Sequence, residues 1–225
     1  REDMSVQIVL ALAAHRLQRP IKITWSREES IRGHCKRHPI WFRCKWGATA
    51  EGKLVAAEVR VLGDGGAYCY TTNKVLGNTT LTCTGPYEFP NVKVDVDGVY
   101  TNNPPSGAMR GFGAPQGIFA AEMQMNKLAE ALEMDPVDLR MRNLLRDETP
   151  TTTRTPLPGR VSLTDVTQQC AQAAGWQQSE AGWHRPSREV GAIPGKPRRA
   201  MRSGIGLAVG FKNVGFSFGY QENCW

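Results

Sequence analysis

The chain has 225 residues, 40% of them hydrophobic and 22% charged, with a net charge of +7. That is ordinary globular composition, with length enough for one large domain or two smaller ones. No stretch approaches the roughly 18 consecutive apolar residues of a membrane span. The positive excess sits mostly in residues 151–203, which carry eight basic and three acidic side chains in a Pro/Gly-rich stretch. That reads as a solvated connection rather than a nucleic-acid surface.

In chain order, VQIVLALAAHRL places Val6, Val9, Leu10, Ala13 and Leu17 at helical spacing, with Asp3 or Ser5 as cap and Pro20 as terminator. IKITWS alternates like a strand, and SREESIRGHCKRHP reads as a charged loop. IWFRCKWGAT and KLVAAEVRVLGDG form two strands joined at an exposed turn. The next segment, GDGGAYCYTTNKVLGNTTLTCTGPY, has no clean period, and PNVKVDVDGVYTNN is another alternating strand.

GIFAAEMQMNKLAEALEM is the clearest helix, with Ile118, Ala121, Met125, Leu128, Ala129 and Leu132 on one apolar face. Asp135-Pro136 starts a second helix, PVDLRMRNLLRD, with proline in its first turn. A third, SLTDVTQQCAQAAGW, opens with Ser162 as cap, and GIGLAVGFKNVGFSFG returns to strand-like alternation. The order is mixed α and β, an α+β class. The opening on Arg1 and the close on GYQENCW read as an internal piece of a longer protein.

Six cysteines (Cys35, Cys44, Cys69, Cys83, Cys170 and Cys224) show no CxxC spacing, so neither a zinc site nor an iron–sulfur site is expected within the chain. With no secretory pattern, reduced thiols and a cytoplasmic location are the default expectation. His34 and His38 lie in a basic loop and are expected to be structural or solvated.

Residues 107–116, GAMRGFGAPQ, stand out. Glycines at 107, 111 and 113 permit positive φ and close backbone approach, while Arg110 brings hydrogen-bond donors and Phe112 an apolar ring. Such a loop can hold an anionic group beside an aromatic ligand, or be a tight turn with one packed ring.

SREESIRGHCKRHP, GDGGAY, GAMRGFGAPQ, LAEALEMDPVDLRMRN and SLTDVTQQCAQAAGW, in that order, resemble the large subunit of the xanthine dehydrogenase/aldehyde oxidase family of molybdenum hydroxylases. The resemblance implies that the chain is part of the molybdenum-cofactor-binding region of that subunit. Residues 1–176 would belong to a first molybdopterin-binding domain, 177–203 to a basic connection, and 204–225 to the start of a second domain.

It further implies a molybdenum-pyranopterin cofactor, plain or as the cytosine dinucleotide, with 2Fe-2S clusters and FAD on partner domains or subunits. The reaction implied is hydroxylation of an electron-poor carbon of an N-heteroaromatic or aldehyde substrate, with oxygen from water and electrons leaving through iron–sulfur clusters to flavin. Partners would be an iron–sulfur subunit and a FAD subunit, without nucleic acid or membrane.

Site residues follow from the same resemblance. Arg110, Gly111 and Gly113 would bind the cofactor, Arg110 through its backbone N–H. Phe112 would pack on the substrate ring, Glu2 would hydrogen-bond it, and Phe218, or Phe216, would close its other face. No residue of the chain is itself a metal ligand, and the general-base glutamate is expected beyond residue 225, so the piece alone is expected to be inactive.

Two departures narrow the substrate. Gly111 stands where carbon monoxide dehydrogenases of the family carry a copper-bridging cysteine. Asn78 stands at a substrate-binding position where purine-oxidising animal enzymes carry arginine, and a neutral amide cannot supply that charged contact. The competing readings are a related molybdenum enzyme that reduces an aromatic thioester and a non-catalytic ligand-binding module.

Overall fold

A computed structural model describes residues 5–157, 159–185 and 204–212. Its centre is a three-stranded sheet of β1 (Ile40–Ala48), β2 (Leu54–Gly66) and β3 (Asn91–Tyr100), in that spatial order. β1 and β2 form the expected antiparallel hairpin. β3 pairs parallel to β2, which requires a crossover, and α3 (Thr72–Thr82) supplies it.

Alternation makes the sheet one-sided. Val59 and Val61 are fully buried, whereas Trp41, Val55 and Leu62 face outward. The inner face packs on α4 (Ala114–Ala131) and α5 (Pro136–Asn143) through Trp46, Leu54, Ala57, Met125 and Leu139. Burial of Met125 alone contributes roughly 1.5–3 kcal/mol.

α4 starts three residues before the apolar run, with Gly113 as left-handed N-cap and proline in its first turn. α5 begins at an Asp135 cap whose carboxylate accepts the Val137 N–H. α6 (Leu163–Ala173) follows, and its Ser162 makes no side-chain capping bond. A short hairpin of β4 (Gln177–Ser179) and β5 (Gly182–His184) lies within the stretch expected as a connection. It packs on α5 through Trp183, whose N–H donates to Asp138 Oδ1 at 3.0 Å.

Several expectations are corrected. SREESIRG holds α2 (Arg27–Gly33), a seven-residue helix closed by a reciprocal capping box between Ser26 and Glu29. IKITWS forms no strand and joins neither sheet. The aperiodic Thr/Gly segment contains α3, whose buried face is more than half threonine and asparagine. Residues 204–212 form no strand, yet Val209 is buried and its N–H donates to Glu122 Oε2 at 3.2 Å. α1 (Ser5–Leu17) is a helix as expected, but Ile8, Val9, Leu12 and Leu17 are all exposed.

Candidate functional site

The glycine loop is held at its stem by the end of β2. Asp64, buried there, accepts hydrogen bonds from the Gly66 N–H at 2.8 Å and from Thr101 Oγ1 and Asn103 Nδ2, each at 2.6 Å. Burial by itself would raise its pKa. The three donors and the nearby His38 outweigh burial and hold the carboxyl below its ordinary range. Ser106 N–H donates to Gly65 C=O, and Gly107 N–H to Lys36 C=O. GDGG and the segment before β1 thus fix where the loop leaves the sheet.

The tip is a run of left-handed residues: φ is +88° at Gly111, +50° at Phe112 and +94° at Gly113. Phe112 is the strained member, a conformation costing a β-carbon-bearing residue about 1–2 kcal/mol. Gly113 is required twice over, since a Cβ there would sit 2.3 Å from the Val75 carbonyl oxygen.

Every carbonyl from 110 to 113 has a donor. Arg37 Nη2 reaches the Arg110 oxygen at 2.7 Å, and the Ala114 N–H donates to Gly111 C=O. Asn78 Nδ2 reaches the Phe112 oxygen at 2.9 Å, and Thr79 Oγ1 the Gly113 oxygen at 3.3 Å.

The amides are a different matter. Among the described residues only the Phe112 N–H of this stretch is used, by Met109 C=O; those of Arg110, Gly111 and Gly113 have no partner. Gly113 is buried, where a donor left unmade costs about 1–3 kcal/mol, and the amides of half-buried Gly111 and exposed Arg110 stand open beside it to an incoming acceptor. The Arg110 side chain is exposed and makes no ion pair or hydrogen bond among the described residues. Open N–H groups, an arginine and the start of an 18-residue helix favour an anionic, oxygen-rich group.

Of the residues expected to form the site, Arg110, Gly111, Phe112, Gly113 and Asn78 come together here. Phe112 is half-buried; Asn78 is fully buried in α3 directly beneath the loop. Glu2 and Phe218 lie outside the described residues. Sequence reasoning missed Arg37 and Thr79, whose contacts with the loop span 73 and 34 residues. His38 is buried with Nε2 2.9 Å from Thr72 Oγ1, a structural placement, and no cluster of metal-binding side chains occurs among the described residues. No described helix is long and apolar enough to cross a membrane.

A family model described as the molybdopterin cofactor-binding domain matches residues 1–144. The nicotinate dehydrogenase large molybdopterin subunit of Eubacterium barkeri is 50% identical over 141 residues, covering 63% of this chain and 33% of the relative. A probable xanthine dehydrogenase subunit of Bacillus subtilis (strain 168) is 32% identical over 222 residues, 99% of this chain and 28% of the relative. Among solved structures, the aldehyde oxidoreductase of Desulfovibrio gigas aligns with a TM-score of 0.66 at 32% identity, over 74% of this chain and 19% of that one. The chain thus spans about a third or less of the length of these relatives.

Proposed function

Because the chain belongs to the molybdopterin cofactor-binding domain family, we propose that it forms the cofactor-facing wall of a molybdenum hydroxylase acting on an electron-poor N-heteroaromatic ring. The observation that carries this reading is the glycine loop, with its carbonyls all bound inward and its Arg110, Gly111 and Gly113 amides open. The donor set fits a cofactor rich in anionic oxygen and sulfur.

When bound, a molybdenum-pyranopterin supplies the two-electron oxidation, which no side chain can perform. The chain's own part is to bind and orient. The open amides and Arg110 hold negative charge at a fixed place, and Phe112, on its strained backbone, offers a ring face to a flat substrate. Glu2 and Phe218 are proposed as further substrate contacts, and residues 1–176 as the first cofactor-binding domain.

The absence of a cysteine at Gly111 disfavours copper-bridged chemistry, and Asn78, fully buried with its amide on the Phe112 oxygen, presents no charge to a substrate, which disfavours strict xanthine specificity. The nicotinate relative favours a pyridine-type ring over an aldehyde. Electron transfer to partner iron–sulfur and FAD domains, and a cytoplasmic location, belong to the same proposal.

The test uses the full-length parent with its partner subunits. Metal analysis is followed by a dye-coupled screen of nicotinate, hypoxanthine, xanthine and an aromatic aldehyde. Near-stoichiometric molybdenum with turnover of a ring substrate supports the reading. Metal-free protein, made with the cofactor machinery present, overturns it; turnover confined to the aldehyde overturns the substrate class.

A further inference from the structure

The side chains beneath the glycine loop do more than satisfy its carbonyls; they set the direction of its amides. In a trans peptide the C=O and the following N–H point opposite ways, and no described peptide bond is cis. Arg37 Nη2 binds the Arg110 oxygen at 2.7 Å, so the other end of that peptide, the Gly111 N–H, points away from Arg37. Asn78 Nδ2 binds the Phe112 oxygen at 2.9 Å and turns the Gly113 N–H away from α3 in the same manner. The peptide between them is closed on the loop itself, through Ala114 N–H on Gly111 C=O and Phe112 N–H on Met109 C=O.

Both clamps are themselves fixed. Arg37 Nη1 lies 3.5 Å from Gln116 Oε1, and Gln116 Nε2 donates to His38 C=O at 3.2 Å, anchoring the guanidinium to the first turn of α4. Asn78 is fully buried, and its orientation is forced: a carbonyl oxygen accepts only a donor, so the atom facing Phe112 is Nδ2.

We infer that Arg37 and Asn78 are positioning residues that hold the Gly111 and Gly113 N–H groups as a two-donor cradle for the anionic group bound at the loop. Arg37 adds strength as well as direction, since a cation on a carbonyl oxygen polarises the N–H of the same peptide. Asn78 acts through Phe112 and Gly113: its amide nitrogen donates to the Phe112 oxygen, its buried Oδ1 has no hydrogen-bond partner among the described residues, and it exposes no area to a ligand. This inference rests on the reading above that the loop faces a molybdenum cofactor.

The experiment compares Arg37→Lys, Arg37→Met and Asn78→Leu with the wild-type full-length parent and its partner subunits. It records molybdenum content, kcat and KM separately, the g values of the Mo(V) paramagnetic resonance signal, and hydrogen exchange of the peptide covering residues 107–116. Losing one well-placed donor predicts that R37M and N78L lower kcat about tenfold while KM stays within about twofold. The Mo(V) g values shift, and loop exchange quickens in N78L. R37K, which keeps the charge, recovers most of the R37M loss.

Unchanged kcat and g values in R37M and N78L overturn the inference, as do losses that only follow the melting temperature. R37K as impaired as R37M overturns the polarisation. Absence of molybdenum from the wild-type parent defeats the proposed function instead, and is distinguishable from a metal-replete parent in which the variants are silent.

Discussion

α4 carries two polar centres about two turns apart, and they are built on opposite plans. Midway along the helix Glu122 is buried among core residues, and each of its carboxylate oxygens is engaged. Oε2 takes Arg140 Nε at 2.9 Å and the Val209 N–H at 3.2 Å, and Oε1 accepts the Tyr87 hydroxyl. Arg140, with no exposed area, also donates to Asn126 Oδ1 and Pro136 C=O, each at 2.9 Å. Burial, with the Glu122 charge added, pushes the Tyr87 pKa well above its ordinary value, so the phenol stays a donor. At the N-terminal end, by contrast, acceptors are filled and donors are left open. A polar centre closed on itself serves the fold; one closed on a single side is built around something that arrives later.

The largest effect is expected where closure is complete. Arg140→Met strands a buried carboxylate and should cost about 3–5 kcal/mol in a denaturation experiment on the full-length protein. Replacing both Glu122 and Arg140 by methionine should recover much of it. A loss under about 1 kcal/mol for the single change would show that water reaches Glu122, and the contrast between the two centres would fail.

Gly113→Ala comes next. With φ at +94° and a Cβ 2.3 Å from the Val75 oxygen, it should cost about 2–3 kcal/mol. The open site adds a second signature: molybdenum content of the parent should fall further than in an equally destabilised core variant. Equal metal content in the two would remove the loop from the cofactor's surroundings.

Smallest is the pH response of the closed carboxylate in the loop's own stem. Asp64 has a folded pKa below its unfolded one. Its stabilisation is therefore present above the unfolded value and is lost as pH falls through the depressed folded value. Acid melting curves of Asp64→Asn should be flatter than wild type across that acidic window, with convergence at the bottom of it. Parallel curves would place the acid sensitivity elsewhere.

The sequence carried the parts of this molecule that repeat or stand close together. β1, β2, β3, α4 and α5 were legible because burial of one face imposes period 2 or 3.6. The glycine loop was legible because positive φ leaves a residue-type mark. α3 was not, since a helix packed through Thr72, Thr79 and Thr82 has no apolar stripe. α2 buries nothing and offered only its capping box, Ser26 with Glu29, which was there to be read. Of the clamps on the loop, Asn78 was singled out but its contact with Phe112 was not foreseen, and Arg37 was invisible because nothing local distinguishes it from the other basic residues around it. Glu122, a charge on the face of α4 that meets the core, was the one sign of the buried ion pair.

Asn143, at the end of α5, also fixes the order of events during synthesis. Its amide accepts the Leu54 N–H at 3.0 Å and donates to Gly52 C=O at 2.7 Å, locking the β1–β2 turn from 89 to 91 residues downstream. At a ribosomal rate of about 5–20 residues per second, the finished turn waits on the order of ten seconds for its latch to be made. β3 and α4 are both made within that interval, before Asn143 is there to fasten the corner.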